Sequence, residues 1–258
     1  MPAALRGALA FLTRLPVGGG EAAWDAFRRT PAAFTLAGYV VGALAALPFL
    51  LAAPVTAVAV LYLVGLYLVT GVTHADGLAD PGDAAAVHST GGGDDAPSAT
   101  DRRRAVLKDS ATGVGGVLAL SLALVALAFG ALGMAEATPA VGVRLALAAE
   151  VGAKAGVATV VCLGDAAHEG LGSAVVDESG PASLLPALLV ALPAAAFAPA
   201  GSTPALVVAV AAGPVVALAV ARWSRRRLGG VSGDVLGATN ELGRVVAVHA
   251  GVIAWTLS

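Results

Sequence analysis

From Pro31 to Thr73 the chain runs for 43 residues without a single Asp, Glu, Lys or Arg, and from Pro181 to Ala221 it does so again. A helix needs about 20 apolar residues to cross the hydrocarbon core of a bilayer, so each run has room for two crossings. The rest of the chain agrees. Hydrophobic residues make up 58% of it and charged residues only 12%, with a mean hydropathy of +0.85, whereas a soluble domain carries roughly 25% charge. These figures describe an integral, multi-pass membrane protein. A net charge of −2 does not suggest a nucleic-acid partner. The apolar piece Ala8–Leu12 is too short for a secretory signal. Cys162, the only cysteine, lies in an apolar run and reads as a buried side chain.

Taken in order, ALRGALAFLTRLPV reads as a short amphipathic helix ended by Pro16, with Arg6 and Arg14 at the headgroups or at a site. Glu21 to Arg29 reads as a polar linker. Spans are expected near 32–51 and 56–74, with Pro54 marking the turn, then at 112–134 and 141–163. Two more fill 181–221, turning at Ala200–Pro204. The last apolar piece, 245–257, either continues a helix from about Val235 or lies at the interface. Residues 101–110 read as a helix capped by Thr100 or Asp101. Within 141–163, Glu150 and Lys154 stand at i, i+4 and are expected to pair. The fold expected is an all-α polytopic bundle of about six to seven spans, forming one domain over residues 1–258.

Lys and Arg collect in the N-terminal segment, in 102–108 and in 222–227. Those segments are separated by two and then four expected spans, so they share one side. The positive-inside rule makes that side the cytoplasm, which places the N-terminus there together with segments 75–111, 164–180 and 222–243. A transporter brings its charged groups toward the midplane. Here the polar stretches converge on one surface, as in an enzyme that draws its substrate from the cytosol.

The stretch with chemistry in it is GVTHADGLADPGD, residues 71–83. Asp76, Asp80 and Asp83 stand at i, i+4 and i+7 and share one helical face. Carboxylates so placed repel one another unless a cation sits between them. A hard divalent ion such as Mg²⁺ or Mn²⁺ takes oxygen ligands and bridges to phosphates. Gly77 and Gly82 leave room beside the backbone, and Pro81 is expected to bend or end the helix. His168 and Glu169 are candidates for ligand contact. Zinc is rejected: His74, His88 and His168 lack tight spacing and a cysteine partner.

FLTRLPV, HADGLADPGD, RAVLKDSATGVGGVLAL, EGLG and LGGVSGDVLGATNEL occur in that order. Together they resemble the adenosylcobinamide-GDP ribazoletransferases, also called cobalamin synthases, over about residues 8–250. The resemblance implies a Mg²⁺-dependent phosphoryl transfer at the cell membrane. Adenosylcobinamide-GDP and α-ribazole, or its 5′-phosphate, would give adenosylcobalamin, or its 5′-phosphate, with release of GMP. It implies Asp76, Asp80 and Asp83 as metal ligands, with one of them or Asp109 as general base. Arg104 and Lys108 would bind the pyrophosphate. Gly229, Gly230 and Gly233 would allow close backbone approach, beside Asp234, Asn240 and Glu241. The chain departs from the family pattern at Ala84, at Ala111–Thr112 and at Lys154. Two other readings stand beside this one: a CDP-alcohol-type membrane phosphotransferase and a cation-binding transporter. Homo-oligomerisation is left open.

Overall fold

The computed structural model describes residues 2–87, 98–107, 111–196 and 203–258. Twelve α-helices fill these residues: α1 (Ala3–Leu12), α2 (Glu21–Arg28), α3 (Ala32–Ala45), α4 (Val55–Thr70), α5 (Thr73–Ala86), α6 (Ala99–Val106), α7 (Val114–Glu136), α8 (Pro139–Leu163), α9 (Leu171–Val176), α10 (Leu184–Ala196), α11 (Thr203–Arg227) and α12 (Gly233–Thr256). The all-α membrane bundle expected from the apolar runs is what forms. Among the described residues four helical stretches are long and apolar enough to cross a membrane: 32–50, 114–136, 139–163 and 203–227. The pair α4–α5 adds a fifth only if its two parts, bent by 94°, count as one. The expectation of six to seven spans also counted α10 and α12. The described part of α10, 13 residues, rises about 20 Å, and residues 197–202, on which part of the expected turn at Ala200–Pro204 falls, lie outside the described residues. The last helix is long enough, but it carries Asp234, Glu241 and Arg244.

The helix α8 runs through the centre, and 94% of its span is buried inside the protein. Small residues set the distance of its neighbours. Gly38 and Gly42 of α3 lie against the α8 backbone, where an added Cβ would meet the Glu150 carbonyl at 2.9 Å and the Leu147 Cα at 3.0 Å. Gly152 and Gly213 bring α8 and α11 into backbone contact on another side. Bilayer helices gain little from hydrophobic association, so close packing at small residues is a main source of cohesion.

The charges on α8 are satisfied by α12. Arg244, fully buried, donates to both oxygens of Glu150 through Nε and Nη2 and to Glu241 through Nη1. Glu241 also accepts from the Tyr67 hydroxyl at 3.1 Å and from Asn240 Nδ2 at 3.1 Å. Lys154 Nζ donates to Asn240 Oδ1 at 2.5 Å. The expected Glu150–Lys154 pair is therefore absent. The planar fork of an arginine serves both carboxylate oxygens at once, which a single ammonium does not. Two acids and two bases cancel within the bundle.

Other local expectations shift for physical reasons. Glu21–Arg28 is the helix α2 rather than a linker, because Trp24 and Phe27 pack on Phe11 and Phe27 packs on Phe34, with tilted rings whose centroids are 4.8–5.7 Å apart. The helix in the next polar segment starts earlier than expected. Ser98 is its cap, accepting from the Asp101 N–H at 3.1 Å. The final apolar piece continues a helix, α12, that starts at Gly233.

Removing Arg244 leaves Glu150 and Glu241 buried with Lys154 as their one remaining counter-charge, bonded to Asn240 rather than to either carboxylate, a change that costs about 3–5 kcal/mol. Arg244→Met is expected to lower the midpoint of thermal unfolding in detergent sharply. Arg244→Met combined with Glu241→Gln leaves Glu150 and Lys154 as one buried acid and one buried base, and is expected to recover much of that loss.

Candidate active site

The charged segments meet at one end of the bundle. Arg225, in the last turn of α11, donates to the carbonyl of Leu163 at the end of α8. The loop after α8 joins the loop before α12, with Val231 N donating to Asp165 O at 2.8 Å and Ala167 N to Val231 O at 2.9 Å. Arg28 of α2 reaches Glu178 at 2.7 Å.

At this end α5 leaves α4 at a bend of 94°. The elbow is Gly71, with φ +68°, a left-handed conformation that favours glycine. A Cβ there would also meet Arg14 Nε at 2.8 Å. The helix continues through Pro81 to Ala86, so the proline does not end it. Packing holds this stretch, since Gly82 sits against the Gly115 carbonyl and Ala119 of α7.

A second glycine contact brings two acidic elements together. The helices α5 and α12 cross at Gly77 and Gly237, where a Cβ on either residue would meet the other's Cα at 3.0 Å. Gly77 also abuts the Asp234 backbone at 3.1 Å. Asp76 and Asp80 of α5 thereby face Asp234 in the first turn of α12. Ser232 caps α12, accepting from Val235 N and donating to Asp234 Oδ2 at 3.2 Å. Among the described residues none of Asp76, Asp80, Asp83 and Asp234 has an ion-pair partner. The electrostatic result is visible at Asp80. Its pKa is pushed up to about 6, first by desolvation and then by Asp234, Asp76 and Asp83.

Asp83 has a different setting from the other two α5 acids. Its Oδ2 accepts from Gly113 N at 2.7 Å and its Oδ1 from Gly116 N at 2.9 Å. It thus caps the start of α7 across the helix boundary, where free N–H groups and the helix dipole favour a carboxylate. Among the described residues no three His, Cys, Asp or Glu side chains form a ready-made metal cage. Mg²⁺ is rarely held by such a cage. It is bound by one or two carboxylates, waters and substrate phosphates, and three mutually repelling aspartates without a counter-charge fit that mode.

A cleft of about 140 Å³ opens between these elements. Asp76, His74, Gly233 and Asp234 form its polar side, and Phe11 and Leu171 its apolar wall. Of the expected residues, Asp76, Asp234 and Gly233 line the cleft, and Asp80 stands within the field of Asp234 and Asp76. Gly229 and Gly230 shape the adjoining loop instead. Gly229 has φ +81° and the guanidinium of Arg104 occupies the place of a Cβ, while Gly230 lies against the Asp165 carbonyl. Arg104 Nε donates to Leu228 O at 3.0 Å. Asn240 and Glu241 do not reach the cleft. They lie deeper, in the buried network with Arg244. His168 and Glu169 are exposed at the surface. Lys108, Asp109 and His88 fall outside the described residues.

Sequence reasoning missed Tyr67 and Arg244, and it met His74 only as a rejected zinc ligand. Arg244 could have been found as the i+3 partner of Glu241 in an otherwise apolar helix. His74 is nine-tenths buried on the cleft wall, and its Nδ1 has no hydrogen-bond partner.

The comparisons with known proteins point one way. The chain is 54% identical over 261 residues to the adenosylcobinamide-GDP ribazoletransferase of Halorubrum lacusprofundi, covering 98% of both chains. It is 51% identical over 257 residues to the protein of that name from Haloquadratum walsbyi, again covering 98% of both. With the Halobacterium salinarum protein of the same name, identity is 45% over 202 residues, covering 78% of this chain and 95% of the relative. No solved structure matches. Residues 4–252 match the family described as cobalamin-5-phosphate synthase, and the chain belongs to that family.

Proposed function

We propose that this chain is the membrane ribazoletransferase of cobalamin biosynthesis. It joins adenosylcobinamide-GDP to α-ribazole, or its 5′-phosphate, with the help of Mg²⁺, and releases GMP. The observation that carries this reading is the convergence of Asp76, Asp80 and Asp234 at the Gly77–Gly237 crossing, in a chain so closely similar to proteins of that name.

In the reaction a ribose hydroxyl forms a bond to the phosphorus on the aminopropanol arm. The phosphoanhydride bond to GMP breaks, and the hydroxyl proton passes to a carboxylate of the cluster or to Asp109. Asp76, Asp80 and Asp234 would hold the metal, which supplies charge neutralisation for the phosphate oxygens and alignment of the entering and leaving groups. Asp83, with both oxygens taken by amides of α7, keeps the acidic helix seated. Arg104 is tethered by Leu228, and its remaining N–H groups are available to phosphate oxygens. Phe11 and Leu171 keep water away from the reacting phosphorus, which favours transfer to the ribose over hydrolysis.

A corrinoid is far larger than a 140 Å³ cleft. The corrin stays outside, and only the phosphate-bearing arm and the ribose enter. The basic segments lie at the same end as the cleft, which supports a cytoplasmic active face by the positive-inside rule. A cation transporter would not gather its acids in a cleft at one end of the bundle. The CDP-alcohol reading is disfavoured by Leu78-Ala79-Asp80, where that enzyme type carries an Ala-Arg pair.

Purified protein in liposomes, given both substrates and Mg²⁺, is expected to release GMP and form the cobalamin product. Asp80→Asn should cut the rate by about a hundredfold or more, at or above the loss when a group that merely orients a ligand is removed. A well-folded protein that yields no GMP with either form of ribazole would overturn the assignment. The two acid types should also separate. Asp83→Ala is expected to lower stability by about 1–2 kcal/mol through loss of a helix cap, with Mn²⁺ affinity unchanged by electron paramagnetic resonance. Asp76→Asn and Asp234→Asn are expected to weaken Mn²⁺ binding with little change in stability.

A further inference from the structure

The acidic face of α5 looks into the cleft, and its opposite face is apolar. Leu78, Pro81 and Ala85 on that back face form one wall of a second cavity, about 390 Å³ in volume. Ala119 of α7, Val220 and Trp223 of α11, and Ala238 and Leu242 of α12 line the rest, and no charged residue lines it. The two outer helices face lipid: Val117 and Leu118 of α7, and Val215 and Leu218 of α11, are all exposed apolar side chains. The groove therefore opens sideways into the bilayer.

Its upper edge is basic. Arg226 and Arg227 follow Trp223 by three and four residues, so they continue the groove-facing side of α11 by one turn. Both are exposed and, among the described residues, neither has a hydrogen-bond or ion-pair partner. The neighbouring Arg225 is held by the Leu163 carbonyl. An indole at the apolar–polar boundary is the usual interfacial anchor, and guanidinium groups bind phosphate oxygens well.

We propose that this groove is a binding site for an anionic phospholipid. One acyl chain lies between α5, α7 and α11. Trp223 sits at the level of the glycerol backbone, and the headgroup phosphate rests on Arg226 and Arg227. The lipid then presses on the back of the helix whose front carries Asp76 and Asp80, so lipid composition bears directly on how that helix is seated.

The test places Trp223 alone, in a Trp24→Phe, Trp255→Phe background, in nanodiscs containing phospholipids with brominated acyl chains. Brominated phosphatidylglycerol is expected to quench Trp223 with about five- to thirtyfold higher apparent affinity than brominated phosphatidylcholine, the scale of one to two arginines at an anionic surface. Arg226→Gln with Arg227→Gln should bring the ratio to about one while leaving quenching by phosphatidylcholine unchanged. Equal quenching by the two lipids, or a preference that survives the double substitution, would overturn the proposal. Protection of Trp223 by α-ribazole or GMP would overturn it too, by giving the groove to the substrates. Native mass spectrometry with all three tryptophans in place gives an independent reading. Phosphatidylglycerol should be retained by the parent and lost from the double variant, and equal retention by both would again overturn the site.

Discussion

Charge inside a membrane bundle must be neutralised by the protein itself, and the Glu150–Arg244–Glu241 cluster is where this chain meets that requirement. Leaving one of these charges unpaired would cost several kcal/mol. The rotation of α12 about its axis is therefore set by the demand that Arg244 reach α8. Once that rotation is set, Asn240 is directed at Lys154 and Glu241 at Tyr67. Two and three turns earlier on the same helix, Gly237 and Asp234 come to the crossing with α5. The network that looks purely structural thereby decides where one of the acids of the cleft stands.

Glycine supplies the second half of the arrangement. At Gly77 and Gly237 two backbones approach so closely that a single methyl group would force them apart. At Gly82, Gly115 and Gly116 the same acidic helix is seated against α7, with Asp83 capping the neighbour. The helix is thus gripped on two sides and offers its carboxylates on a third. Its fourth side faces an apolar groove open to lipid. A helix with two aspartates packed against a third from α12 needs such contacts, since burial first and then the neighbouring carboxylates push the Asp80 pKa up to about 6.

Much of this was legible in the chain. The uncharged runs announced the spans, the i, i+4, i+7 acids announced α5, and the order of motifs announced the family. What was not legible depended on partners far apart in sequence. Lys154 was assigned to Glu150 because they are four residues apart. The true partner of Glu150 is 94 residues away, and no helical spacing shows it. Glu21–Arg29 was assigned as a linker on its charge, while its helix is held by aromatic rings from α1 and α3. Ser98 cannot be told from Thr100 and Asp101 by residue type, since those offer the same capping chemistry two and three residues later.

The sequence by itself determined that the chain enters a bilayer as helices, since long apolar segments carry their own backbone hydrogen bonds there. It also determined that acids and arginines are confined to the polar stretches, apart from a few on α8 and α12. The tertiary structure alone decided which acids meet. Asp234 lies 154 residues beyond Asp80, and the two share a field because two glycines let α5 and α12 touch. It also decided that Asp83 serves as a cap and that Asn240 and Glu241 lie below the cleft. Periodicity reports which residues share a face of one helix, while the choice of neighbour for that face belongs to packing and to the pairing of buried charge.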